Sequence, residues 1–144
     1  MTSRLLRAGE ITHMPRIFAA QPKNCAPIAT AFLEDDEAAA SEVLPTIAEG
    51  TAIAKPIRLH EVLGVLRETR GGAVRLTEEE IAKSTLDLAH MGLYVEPTSA
   101  QVAAAFGKLL ASGAITQDQT TVLVLTGAGL KATNRIAELL GITL

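Results

Sequence analysis

The sharpest chemical string in the chain is TVLVLTGAGLKATNRI, Thr121 to Ile136. A β-branched and aliphatic run climbs into Thr126-Gly127-Ala128-Gly129, and a helical pattern follows at once. A hydroxyl at that point can donate or accept a hydrogen bond, and glycines beside it let a ligand approach the main chain. Turns of this kind, at the carboxyl ends of strands, hold ligands in open α/β sheets. A tight strand-to-helix turn explains the same string equally simply. It is not a dinucleotide fingerprint, because the third glycine is absent and no acidic residue follows at the expected distance. Nor is it a P-loop.

Other reactive side chains offer less. Cys25, in KNCAPI, lies near a helix start, where a thiol pKa can fall, but a small buried residue fits that place as well. His13, His60 and His90 stand in unrelated contexts and suit surface or capping positions, so neither a Ser-His-Asp nor a Cys-His-Asn arrangement is supported. One cysteine with three scattered histidines makes no zinc pattern, and a lone cysteine makes no internal disulfide. The carboxylates of Glu34–Glu37 and Glu78–Glu80 read as solvated helix ends, the second set favouring the positive end of its helix. Lys55 and Arg58, in AKPIR, fall in a loop and suit solvent.

The elements that must position these groups alternate along the chain. Pro15–Gln21 is a short apolar strand entered from a proline. A helix follows, with Asn24 as its N-cap and Pro27 in its first turn, and the acidic run Glu34-Asp35-Asp36-Glu37 closes it. Pro45, Gly50 and Pro56 punctuate a loop. Leu59, Val62, Leu63 and Leu66 share one helical face, which Gly71-Gly72 terminates. Ala73–Thr77 is a strand. A capping box from Thr77 to Glu80 opens the next helix, with Ile81, Leu86, Leu88 and Ala89 on its apolar face and Gly92 at its end. Leu93–Ala100 is extended, with Thr98 and Ser99 as caps of an Ala-rich helix that stops at Gly113. Thr120–Gly127 reads as a strand buried on both faces, its apolar run being too continuous for a half-exposed one. Gly129–Gly141 is the last helix.

Strands interleaved with helices predict an α/β fold, a parallel sheet with helices on both faces. The 144 residues make one domain, 1–144, with no repeat or linker. Hydrophobic residues are 48% of the chain but aromatics only 3%, so the core is aliphatic and closely packed. A net charge of −3 without a basic stripe argues against nucleic acid. No apolar run approaches the roughly 20 residues of a membrane helix, and the amino terminus has no secretory pattern. A cytoplasmic protein is expected.

Four strings read together carry a resemblance: MPRIFAAQPKNCAPIATAF, TIAEGTAIAKPIR, GLYVEPTSA and LVLTGAGLK. In this order and spacing they resemble the carboxyl-terminal part of threonine synthase, from about Leu5 to Leu139. That family uses pyridoxal phosphate and shares its fold with threonine dehydratase and the tryptophan synthase β-subunit. The resemblance implies a lyase of threonine biosynthesis that converts O-phosphohomoserine and water to threonine and phosphate. It implies that Thr126 hydrogen-bonds the pyridine nitrogen, that Gly127 lets the ring approach, and that Glu96 lies beneath the cofactor. Glu96 also suits a helix start.

The family's Schiff-base lysine, in a Ser-x-x-Lys type string, matches none of Lys23, Lys55, Lys83, Lys108 and Lys131. Its glycine-rich phosphate loop has no counterpart either. No catalytic residue and no metal ligand is therefore assigned. The chain reads as the second half of an enzyme, inactive alone, that works with an N-terminal partner half or self-associates as a homo-oligomer. A non-catalytic ligand-binding or self-associating domain of the same descent is the alternative.

Overall fold

The computed structural model describes residues 2–39 and 43–142. Its centre is a parallel pair, strand β1 (Phe18–Pro22) against strand β2 (Gly72–Leu76), with Phe18 opposite Gly72 and Pro22 opposite Leu76. Helix α1 (Thr2–Arg7) precedes β1, and the crossover between the strands carries helices α2 (Pro27–Glu34) and α3 (Leu59–Glu68). Helices α4 (Glu78–His90) and α5 (Pro97–Ala111) follow β2, and a short helix α6 (Thr133–Leu139) comes last. A strand–helix–parallel-strand unit is the building block the alternating pattern predicts.

The pleat of β2 assigns the helices to its two faces. Val74 and Leu76 enter an aliphatic cluster with Ile81 of α4 and Ala105 of α5. Arg75 points the other way and pairs with Glu34 at the end of α2 at 3.6 Å. Small side chains let α4 and α5 meet closely, and buried Ser84 donates to the Ala100 carbonyl at 2.9 Å.

The start of α4 carries the predicted capping box. Thr77 Oγ1 accepts from the Glu80 N–H at 3.3 Å, and Glu80 Oε2 accepts from the Thr77 N–H at 2.8 Å. Partial burial pushes the Glu80 carboxyl up, but a hydrogen bond from Lys108 and the Thr77 N–H outweigh it and hold it below its ordinary value.

Four expectations change in detail. Asn24 does not cap α2: its amide donates to the Pro45 carbonyl at 2.6 Å, tying down the following loop. Pro27 takes the first helical position, and the orphan N–H of Ala29 is met by the buried side chain of Gln21, reaching over from β1 at 3.0 Å. At the end of α3 the left-handed residue is Arg70, φ 52°, rather than a glycine. Gly71 serves close approach instead, because a Cβ there would lie 1.7 Å from the Ile17 carbonyl oxygen. The acidic run after α2 engages neighbouring side chains, Asp35 with Arg67 at 2.8 Å, and Glu37 with Arg67 at 3.9 Å and His60 at 3.1 Å.

The fourth correction is the largest. Residues 121–126 form no regular element and pair with no strand among the described residues, and Val122 and Val124 are 80% and 66% exposed. Continuous apolar character marks a chain suited to burial on both faces. It does not supply the neighbouring strands that such burial requires. The accessible surface reflects this: the chain exposes 9081 Å². A compact monomer of 15.1 kDa exposes only about 7,100 Å², an excess of roughly 2,000 Å².

Candidate active site

Two of the strings singled out in the sequence meet in space. Val95 and Ala128 form an antiparallel bridge. The Glu96 N–H donates to the Gly127 carbonyl at 3.2 Å, and the Gly129 N–H donates to the Tyr94 carbonyl at 2.9 Å. The short ladder sets Thr126 and Gly127 beside the first turn of α5, where Pro97 occupies the first helical position and Glu96 the N-cap.

Glycine is required at both ends of Gly-Ala-Gly because the two segments touch. A Cβ on Gly127 would lie 1.9 Å from Glu96 Oε1, and one on Gly129 would lie 2.9 Å from the Tyr94 ring. The group that approaches the Gly127 backbone is thus the Glu96 carboxylate. Glu96 is half-buried there and caps nothing with its side chain.

Ser99 organises the site. Expected as a cap, it lies inside the first turn of α5, 1% exposed. Its Oγ accepts from the Gly127 N–H at 2.7 Å and stands 3.2 Å from Thr126 Oγ1. Either hydroxyl can donate in that second bond. With Ser99 as donor, the Thr126 hydrogen is free to reach an outside acceptor. Thr126 itself is exposed. A signal for Ser99 was present in the sequence: Pro97 marks the first helical position, so a residue two places later lies past any cap. Thr98 likewise turns away, accepting from the Gly50 N–H at 3.0 Å and anchoring the loop before α3.

Other candidates stay apart. Cys25 is fully buried, and burial pushes its thiol up, opposite to an activated nucleophile. His60 pairs with Glu37, and His13 lies against Thr12 on the surface. No cluster of His, Cys, Asp and Glu suited to a metal occurs among the described residues. Lys55 is exposed, and Arg58 pairs with Glu61 at 3.6 Å. Lys83 meets Asp87 (i, i+4), and Lys108 bonds Glu80 at 2.9 Å.

Comparison with known proteins decides what this turn belongs to. Residues 2–127 match the family model described as pyridoxal-phosphate dependent enzyme. The chain belongs to that family. The threonine synthase of Methanosarcina acetivorans is 35% identical over 120 residues, covering 82% of this chain and 30% of that protein. The threonine synthase of Methanocaldococcus jannaschii is 33% identical over 129 residues, with 85% and 31% covered. The chain thus spans about a third of the length of these relatives. Maize serine racemase has a similar fold, with a TM-score of 0.61 at 18% identity over 95% of this chain and 43% of that one. Among the described residues no helix is long and apolar enough to cross a membrane.

Pyridoxal phosphate is the cofactor that membership implies, and the site fits one edge of it. An exposed hydroxyl is the donor a pyridine nitrogen needs, and Thr126 presents one, 3.2 Å from the buried Ser99 hydroxyl. The cofactor's other functions, aldehyde and phosphate, need a lysine and a cradle of N–H groups. Lys83 and Lys108 are both engaged with carboxylates away from Thr126.

Proposed function

We propose that this chain supplies the ring-nitrogen contact of a threonine-synthase-type site, in which O-phosphohomoserine and water give threonine and phosphate. The observation that carries the reading is the Gly127–Ser99–Thr126 hydrogen-bond chain, which sets the exposed Thr126 hydroxyl at the turn. When bound, pyridoxal phosphate supplies an electron sink for carbanions of the amino-acid substrate. Thr126 would hold the ring nitrogen through a neutral hydroxyl, leaving it less protonated than a carboxylate partner would. Ser99 shares a hydrogen bond with that hydroxyl. Gly127 and Glu96 lie immediately beside it, and in this reading both border the cofactor. The Schiff-base lysine, the phosphate cradle and the contacts to a phosphorylated amino acid come from the portion of the relatives that this chain does not span.

The test is phosphate release from O-phosphohomoserine with pyridoxal phosphate, followed for the chain alone and after mixing with the unspanned portion of the Methanosarcina acetivorans threonine synthase. The chain alone releases none above background, and borohydride trapping labels no single lysine stoichiometrically. The mixture releases phosphate and forms threonine. Thr126→Val leaves the fold in place and abolishes that activity. Turnover by the chain alone, or a fully active Thr126→Val mixture, would overturn the assignment.

A further inference from the structure

A polar cavity of about 480 Å³ lies between the first turn of α5, the 47–50 segment and α6. That volume suits a small molecule. Neither Thr126 nor Gly127 lines it, and Glu96 is the wall it shares with the Gly127 turn. Charges of both signs face it, Glu49, Glu96 and Glu138 against Lys131 and Arg135. Arg135 bridges two of the carboxylates, Glu138 at 2.6 Å and Glu49 at 3.4 Å, and so straps α6 to the 47–50 segment. Two charges are left over. Neither the Glu96 carboxylate nor the Lys131 ammonium has a hydrogen-bond or ion-pair partner among the described residues. The Thr98 N–H, in the first turn of α5, also meets no acceptor among them.

We propose that this cavity binds a free α-amino acid, with its ammonium on Glu96 and its carboxylate on Lys131 and the Thr98 N–H. Charge selects the class. The three carboxylates outnumber the two cations, so a phosphate dianion meets net repulsion. An amine alone would satisfy Glu96 but leave Lys131 and the Thr98 N–H without an acceptor. A simple carboxylate would do the opposite. A zwitterion answers both, with a charge-assisted hydrogen bond at each end, and the positive end of α5 adds to Lys131 on the carboxylate side. The rest of the wall is mixed, Ile47 and Leu130 being apolar and Thr133 and Asn134 polar. A short side chain with a hydroxyl matches it better than an aromatic one. No cofactor takes part. Because Glu96 also abuts Gly127, occupancy of the cavity fixes the carboxylate that borders the Thr126 turn.

The experiment is calorimetric titration of the 144-residue chain with L-threonine, with no pyridoxal phosphate present. Saturable one-to-one binding is expected, with a Kd of about 1 mM or tighter. L-Threonine amide lacks the carboxylate and N-acetyl-L-threonine lacks the ammonium, and each binds about tenfold more weakly or worse. Lys131→Ala, at an exposed residue, and Glu96→Gln weaken L-threonine binding by a similar factor. Lys83→Ala, on α4 outside the cavity, leaves it unchanged. Absence of saturable heat overturns the proposal. So does equal binding of either derivative, or full affinity in Lys131→Ala. None of these readouts needs turnover. A chain that binds threonine yet forms no active mixture keeps this site and removes the reaction, and an active mixture whose chain binds no threonine does the reverse.

Discussion

A single buried hydroxyl at Ser99 serves two neighbours, accepting from the Gly127 N–H and sharing a hydrogen bond with the Thr126 hydroxyl. Removing it leaves that N–H unpaired and frees the Thr126 rotor. Ser99→Ala is therefore expected to cost about 1–3 kcal/mol of stability, measured as a lower urea midpoint at unchanged slope. An unchanged midpoint would show that water replaces the hydroxyl and that the site is less closed than its burial indicates. At this scale the sequence was partly legible. Thr126 and the need for glycine beside it follow from the string itself, although what fills the space at Gly127 is Glu96. Ser99 resembles a cap because small hydroxyl residues near a helix start commonly are caps, but Pro97 at the first helical position puts it inside the first turn.

Individual elements show where local rules suffice. Thr77 and Glu80 lie three residues apart and form their capping box as read, because both partners belong to one turn. Asn24 has the right type for a cap, but the bond to Pro45 was out of reach of any local rule, since Pro45 comes 21 positions later. Two glycines near α3 separate propensity from packing. Gly64 is an exposed helix residue with open space around it, so Gly64→Ala is expected to add about 0.5–1 kcal/mol. Gly71 faces the Ile17 carbonyl, a main-chain atom that cannot step aside. Gly71→Ala is expected to cost about 3 kcal/mol or more by prising β1 from β2. Thermal melts of the two variants should move in opposite directions. If Gly71→Ala melts with the parent, the close approach is not present in solution.

The whole molecule is an α/β unit whose class was legible from the alternation of strand and helix patterns. How many strands pair was not, because hydrophobic periodicity records which faces want burial and says nothing about whether a partner is present. The 121–125 run wants two neighbours and has none among the described residues. That uncovered run also has a thermal consequence. Apolar surface already wet in the folded state is not newly hydrated on unfolding, and hydration of newly exposed apolar surface is the source of the heat-capacity increment. Calorimetry of the chain should give an increment below the usual 12–15 cal/mol/K per residue, roughly 1.7–2.2 kcal/mol/K for a chain of this length. Its stability curve should accordingly be flatter than those of closed domains of equal length. An increment of full size would mean that the apolar run is covered in solution before any partner is added.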